Sequence, residues 1–307
     1  MNVMPKLIKM KLDKSIQKLI LQKEKFVSNP SRDFTRTRKL SLDKLIELLI
    51  TMGAGSLNKE LLEYYKFDTK TPTSSALVQQ RSKLKPEALL YILQEFSESF
   101  KNLKKFKGHR LLAVDGSKII IHRNPNDPDT FVTYNEYSEG CNVLNLNALY
   151  DICNKLYVDA TIQPLKKMNE RSALIEMIKR SPLKNKIILV ADRGYESYNN
   201  IAHLEEKAWK YVIRVRASNI KAGILSKVDL PSNQEFDKKV SILMTRRQTK
   251  EIKSNPRLYR FLPKSSTFDF LPHGSKATYP ISFRVVCVKV SEDNYQYLIT
   301  NLTSAFT

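Results

Sequence analysis

Apolar positions recur every three to four residues through the first hundred positions of the chain, then alternate or run unbroken from residue 111 onward. The first pattern predicts helices. In "MNVMPKLIKMKLDKSIQKLILQKEKF", Leu7, Ile8, Leu12, Ile16, Leu19 and Ile20 fall on one helical face with lysines interleaved. The segment has no unbroken apolar core of the kind a signal peptide carries. A membrane-surface or targeting helix is the other reading, and ordinary soluble sequence follows it. Ser41 before "LDKLIELLITM" and Gly53 after it mark a second helix. "SLNKELLEYY" (56–65) makes a third, and "TPTSSALVQQRSKLK" (71–85) offers Thr and Ser caps for a fourth. Pro86 suits the first turn of a fifth, "EALLYILQEFSESF". Short helices with tight connections, one bearing Ser74, Ser75, Gln79, Gln80, Arg81 and Lys83, fit a helix-turn-helix-like DNA-binding unit, although any small helical bundle has the same pattern.

The second pattern predicts strands. "LLAVDGSKIII" (111–121) reads as a strand interrupted at Asp115-Gly116. "NVLNLNALYDI" (142–152) and "KLYVDATIQP" (155–164) flank a turn at Cys153-Asn154, with Asn145 and Asn147 suggesting a half-exposed face. "NERSALIEMIKR" is a helix, "KIILVADRG" an almost wholly apolar strand of the central parallel kind, "ESYNNIAHLEEKA" a helix and "WKYVIRVRA" a strand. The order β-β-β-α-β-α-β predicts a mixed α/β sheet with helices on its faces. After residue 218, Pro-, Ser-, Asn- and Lys-rich joints separate short strands at 238–244, 257–263, 279–290 and 295–300, which reads as a β-rich insertion. The expected organisation is a helical DNA-binding region (1–108), an α/β core (109–217) and the β-rich part (218–307).

Charge sharpens this picture. The chain carries 52 Lys and Arg against 31 Asp and Glu, net +21. Residues 1–110 carry +12, residues 111–217 only +2 and residues 218–307 +7. A near-neutral core between basic arms suits a polyanion partner, because Lys and Arg displace the counterions condensed on nucleic acid. A basic protein without such a partner is the plainer alternative. No window approaches the roughly 18 apolar residues of a membrane span. Three cysteines, Cys141, Cys153 and Cys287, form no C-x-x-C pair or disulfide framework and suit a reducing compartment. His109, His122, His203 and His273 have no zinc spacing.

The candidate chemistry lies in two carboxylates. Asp115 sits partway along the first strand and Asp192 at the carboxyl end of the fourth. If those strands lie side by side and parallel, the two side chains converge where open α/β sheets gather ligands. Like charges brought together need a proton or a cation, and hard oxygen donors suit Mg²⁺. Singly, Asp115-Gly116 also reads as a turn and Asp192 as a helix N-cap.

"LLAVDGSKI", "VTYNEYSEG" and "IILVADRGYES", in this order, resemble bacterial insertion-sequence transposases of the DDE type, in particular the insertion-sequence-four-like group with a β-strand insertion. "DFTRTRKLSLDKLIELLITMGAGSLNKELLEYY" and "SALVQQRSKLKPEAL" resemble the N-terminal region of such proteins. The resemblance implies an RNase H-like core, Asp115 and Asp192 as catalytic ligands of Mg²⁺ or Mn²⁺, and cleavage and strand transfer at element ends. It also implies double-stranded DNA as partner, a homodimer on DNA, and a cytoplasmic, nucleoid-associated location. The family's third carboxylate, a Glu in a Tyr-x₂-Arg-x₃-Glu-x₆-Lys pattern after the insertion, has no counterpart here. The chain ends "YQYLITNLTSAFT" where that helix is expected, as in a transposase cut short. A catalytically inactive DNA-binding remnant and an RNase H-like nuclease are the alternatives.

Further residues are candidates for DNA contact: Arg36, Arg38 and Lys39 in the basic segment 31–39, Arg81 and Lys83 on the fourth helix, Arg193 beside Asp192, and Arg246 and Arg247 in the insertion, where Lys250 and Lys253 extend the cluster. Pairing with a neighbouring carboxylate is the alternative for Arg193, and solvated loops and faces for the segment 31–39 and the insertion cluster. Glu205 and Glu206 read as a solvated helix face, and Trp209 as core.

Overall fold

The computed structural model describes residues 3–36, 38–216, 223–226, 228–231, 234–292 and 294–306, and the expected boundary at 217/218 lies outside them. The chain divides into two compact units, residues 1–102 and 103–307. The first unit is helical: α1 (Val3–Ile20), α2 (Lys23–Phe26), α3 (Leu42–Thr51), α4 (Leu57–Tyr64), α5 (Ser74–Arg81) and α6 (Glu87–Glu98). Two caps form as polar side chains at helix starts dictate: the Ser56 hydroxyl accepts from Lys59 N–H and that of Thr73 from Ala76 N–H. Ser41 precedes α3 without a side-chain cap bond. The apolar stripe of α1 is buried through Ile16 and Leu19, which pack with Phe26, Ile46, Ala88 and Ile92. A second cluster joins Leu45 and Leu48 of α3 to Leu61 of α4 and Leu77 of α5. Residues 65–73 connect α4 to α5, longer than the roughly 3–4-residue turn of a helix-turn-helix. The extra length is folded on itself by backbone bonds from Lys66, Phe67, Asp68 and Thr71.

The second unit is built on one ten-stranded mixed sheet. Its elements are β1 (Arg110–Ile121), β2 (Phe131–Val132), β3 (Cys141–Asp151), β4 (Leu156–Pro164), α7 (Glu170–Arg180), β5 (Ile187–Ala191), α8 (Tyr198–Glu206), β6 (Lys210–Val215), β7 (Phe236–Thr245), α9 (Lys250–Ser254), β8 (Tyr259–Phe261), β9 (Thr278–Ser291) and β10 (Asn294–Thr300). The order is β2-β3-β1-β5-β6-β10-β9-β7-β8, with β4 also on β3. β1 is antiparallel to β3 and parallel to β5, and β5 is parallel to β6. The strands of the expected insertion extend this same sheet, because β10 pairs antiparallel with β6.

β1 runs unbroken through Asp115-Gly116, where an interruption was expected; Gly116 pairs with Asn147 inside the ladder. Gly116 leaves room for the Glu170 side chain, whose Oε1 lies 2.8 Å from where a Cβ would stand. Strand alternation places Leu112, Val114, Leu149, Leu189, Ala191, Tyr211 and Ile213 on one buried face, where they join core residues of α7 and α8. Asn145 and Asn147, expected at a half-exposed face, share this side and are buried. Trp209 is fully buried, and its indole N–H donates to the Leu183 carbonyl at 3.1 Å. Of the two glutamates expected on a solvated face, Glu206 is exposed and Glu205 is half-buried. Tyr211 donates to Glu205 (3.3 Å) and Tyr279 to Glu206 (2.7 Å), and burial pushes the Glu205 carboxyl up to about 7.

Two ion pairs lock the first half of the sheet. Arg180 of α7 forks onto Asp159 of β4 at 2.8 and 2.9 Å. Arg110, at the start of β1, donates through Nε to Asp151 at the end of β3. Asp151 Oδ1 also accepts from Asn154 N–H and Nδ2, at 3.0 and 2.8 Å, which shapes the Cys153-Asn154 turn. Both partners are buried, with Arg110 7% and Asp151 0% exposed. Removing one partner strands the other charge in the interior. Asp151→Ala is therefore expected to destabilise the protein by about 3–5 kcal/mol in urea unfolding; a change below about 1 kcal/mol, typical of exposed pairs, would contradict this.

Candidate metal and nucleic-acid sites

Strand register sets Asp115 and Asp192 one residue beyond a paired position on neighbouring strands. β1 and β5 pair in parallel through Val114 opposite Ala191, and the two aspartates are the next residue on each strand line. The backbone at Asp192 is still extended (φ −82°, ψ 172°) before the 3₁₀ turn Arg193–Tyr195. Alternation therefore turns Asp192 away from the face of Ala191, as it turns Asp115 away from that of Val114. Both carboxylates are exposed on the sheet face that carries the half-buried Ala113, Val190 and Val212. Gly116 N–H donates to Asp115 Oδ1 at 2.8 Å. Arg214, the residue after Ile213 on β6, brings Nε to 3.7 Å from Asp192 Oδ1.

Behind this pair, on the opposite face, stands a residue that strand and helix patterns did not single out. Glu170 opens α7, and its two carboxylate oxygens occupy the spaces that a Cβ on Gly116 or on Gly194 would need. Tyr195, buried, donates to Asn147 Oδ1 at 2.9 Å, while Asn147 Nδ2 has no partner. Burial, with Glu170 and Asp115 nearby, pushes the Tyr195 phenol well above its ordinary range. The glycines beside the aspartates were the available sequence signal, because each leaves room for the Glu170 carboxylate.

The basic candidates fall in separate places. Within the helical unit, Arg36, Arg38 and Lys83 line one cavity of about 390 Å³ together with Arg32 and Asp33. Asp33 lies 3.6 Å from Lys83, so one carboxylate tempers a cationic pocket. Lys39 donates to the Lys70 carbonyl, and Arg81 is exposed at the end of α5. Arg193 is exposed beside Asp192. Arg246 differs from expectation. Its guanidinium donates to the carbonyls of Leu271 (3.1 Å), Leu262 (3.3 Å), Pro263 (2.7 Å) and Ser266 (3.0 Å), so it clamps the 262–271 loop and is spent on the fold. Arg247, Lys250 and Lys253 remain exposed.

The model of the transposase DDE domain family matches residues 106–270, more than half of the chain and both aspartates. The chain belongs to the transposase DDE domain family. Among solved structures, the chain is similar to a piggyBac transposase in a synaptic complex with hairpin DNA, determined by cryo-EM, at 12% identity and a TM-score of 0.38. That similarity covers 87% of this chain and 49% of the other, so the chain spans about half the length of that transposase. No curated protein sequence matches the chain.

The residues present suit a divalent ion of the kind DDE domains use. Asp115 and Asp192 supply hard, exposed oxygen donors, and Mg²⁺ is commonly held by one or two carboxylates, with waters and substrate phosphates completing its shell. Among the described residues no group of three or more acidic, His or Cys side chains is placed to hold a metal ion. Arg214 competes for Asp192. Exposed ion pairs contribute about 0.2–1 kcal/mol, so Arg214→Ala is expected to tighten Mn²⁺ binding roughly one-and-a-half- to fivefold by calorimetry. Weaker binding in that variant would show Arg214 to be supporting the site instead.

Proposed function

We propose that this chain is a DNA transposase of an insertion element, of the insertion-sequence-four-like type, cutting and rejoining phosphodiesters at element ends. The reading rests on one observation above the rest: Asp115 and Asp192 each directly follow one of the paired residues Val114 and Ala191 of the parallel strands β1 and β5, in a transposase DDE domain. An antiparallel β1/β3/β4 group followed by parallel β5 and β6 supports an RNase H-like core. In this account residues 1–108 bind DNA, 109–217 hold the catalytic centre and 218–307 form the β-rich insertion.

Asp115 and Asp192 would hold Mg²⁺, or Mn²⁺ in its place. The bound ion supplies charge stabilisation at a phosphodiester oxygen and lowers the pKa of an attacking water or hydroxyl. The protein's own share is positioning. Gly116 N–H fixes one oxygen of Asp115, and the 3₁₀ turn after Asp192 presents Arg193 beside it for a phosphate. Arg36, Arg38, Lys39, Arg81, Lys83 and Arg247 supply the sequence-independent grip on double-stranded DNA. A homodimer acting on paired ends, associated with the nucleoid in the cytoplasm, completes the proposal.

A second reading, a catalytically inactive DNA-binding protein, is favoured by the cationic cavity of the helical unit, lined by Arg32, Arg36, Arg38 and Lys83. Incubating the purified chain with duplex DNA and Mg²⁺ or Mn²⁺ separates the two. The transposase reading expects cleavage at element ends, reduced at least about a hundredfold by Asp115→Ala and by Asp192→Ala, since metal-assisted stabilisation is worth several kcal/mol. Binding without cleavage supports the second. Cutting without regard to sequence points to a nuclease, and cleavage untouched by both substitutions rejects the site.

A further inference from the structure

The cavity of the helical unit, about 390 Å³, forms where the 31–40 segment between α2 and α3 meets the end of α5. Its lining joins Arg32, Arg36, Arg38 and Lys83 to a single carboxylate, Asp33. Four cations against one acid leave three positive charges in excess. Lys83 is already shared: its ammonium lies 3.6 Å from Asp33 and donates to Gln80 Oε1 at 3.4 Å. The three guanidiniums are not. None has an ion-pair partner or a hydrogen bond among the described residues.

The backbone adds donors. Phe34 is held in the left-handed region (φ 54°), which is unusual for a bulky residue. The turn is fixed by Arg32 and Asp33 N–H donating to the Asn29 carbonyl at 3.0 and 2.7 Å, and by the Thr35 hydroxyl donating to the Arg32 carbonyl at 3.1 Å. The N–H groups of Phe34, Thr35 and Arg36, all cavity residues, make no hydrogen bond among the described residues. Turns of this kind often offer successive amides to an anion. Gln80 is an independent pointer. It lines the cavity and is only 7% exposed. Its Oε1 receives the ammonium of Lys83, another wall residue, which sets the amide head in that wall. Its Nε2 makes no hydrogen bond among the described residues. A buried donor without an acceptor is costly, and a ligand oxygen would satisfy it.

The cavity thus offers donors and positive charge, while its one acid is held by Lys83. That combination selects an anion rich in acceptor oxygens. The phosphodiesters of a strand carry one charge each and follow one another along an open surface. A cavity with three excess charges and a buried donor suits a compact ion instead. Two linked phosphate groups carry about three charges near neutral pH and present oxygens on every side. Guanidiniums bind such oxygens through two parallel N–H groups.

We propose that this cavity binds a free diphosphate anion, as inorganic pyrophosphate or as the tail of a nucleotide, and that its occupancy releases DNA from the helical unit. Release rests on the DNA reading above, in which Arg36, Arg38 and Lys83 grip the duplex; binding of the anion does not.

Calorimetry on the full chain at fixed ionic strength tests the site. Pyrophosphate is expected to bind at least about tenfold more tightly than orthophosphate, the ratio that one more charge-assisted hydrogen bond supports. Arg36→Ala with Arg38→Ala, both at exposed positions, should weaken it at least about tenfold. Gln80→Glu should abolish binding, because it keeps the size and the Lys83 contact but puts a negative charge where the donor stood; an unchanged circular-dichroism melt shows the fold intact. Pyrophosphate bound no better than orthophosphate, or equally well by the variants, overturns the inference. ADP binding as tight as that of pyrophosphate assigns the site to a nucleotide tail, and weaker ADP binding assigns it to the inorganic ion. Fluorescence anisotropy with a labelled duplex tests release. Pyrophosphate at about ten times its own Kd should weaken duplex binding roughly tenfold beyond sodium chloride of the same ionic strength. Any duplex binding left in the Arg36, Arg38 double variant should be indifferent to it. Equal displacement by the chloride overturns release. A chain that binds pyrophosphate but no duplex supports the anion site and refutes the DNA reading.

Discussion

The parallel pairing of β1 with β5 is the constraint on which the site depends. The two strands are separated by more than sixty residues, and their register is set by apolar burial on one face. Leu112 and Val114 lie opposite Leu189 and Ala191, and all four are buried. A slip of one residue would turn every one of these side chains to the other face. The register that buries them therefore also fixes where the next residue on each strand points. Asp115 and Asp192 face outward together because Val114 and Ala191 face inward together. The core positions the carboxylates with no bond between them.

The glycines complete this arrangement. Gly116 and Gly194 follow the two aspartates closely, and the carboxylate of Glu170 fills the room their missing side chains leave. A third acid so close to the pair raises the negative potential of the region, while Arg214 lies against Asp192 and offsets it from the open face. Charge is distributed differently in the helical unit, where Arg32, Arg36, Arg38 and Lys83 surround a cavity tempered only by Asp33. The helical unit thus carries a cationic cavity, and the sheet unit carries the two exposed aspartates, Asp115 and Asp192.

Much of this was legible in the sequence, and the misses have physical causes. Apolar periodicity located the helices of the first unit, with α1 and the four-residue α2 read as one, and all but one of the ten strands. β2, with two residues, is too short to show a period. Asp115-Gly116 read as a break because glycine usually punctuates; here it makes room for Glu170, a contact made across the fold and invisible locally. Asn145 and Asn147 read as a half-exposed face because they are polar, but they share the strand face of Val143 and Leu149, which is buried. Arg246 read as a surface cation because sequence cannot show that four loop carbonyls converge on its guanidinium.

The central claim is that Asp115 and Asp192 share one cation, and a double-mutant cycle on Mn²⁺ affinity measures it directly. Asp115→Asn, Asp192→Asn and the double substitution would each be titrated by calorimetry at fixed salt. Shared ligation predicts strong coupling, with the double variant hardly weaker than either single one, because loss of one carboxylate already dismantles the site. Independent effects that simply add would mean that the two side chains bind separately, and would contradict the account.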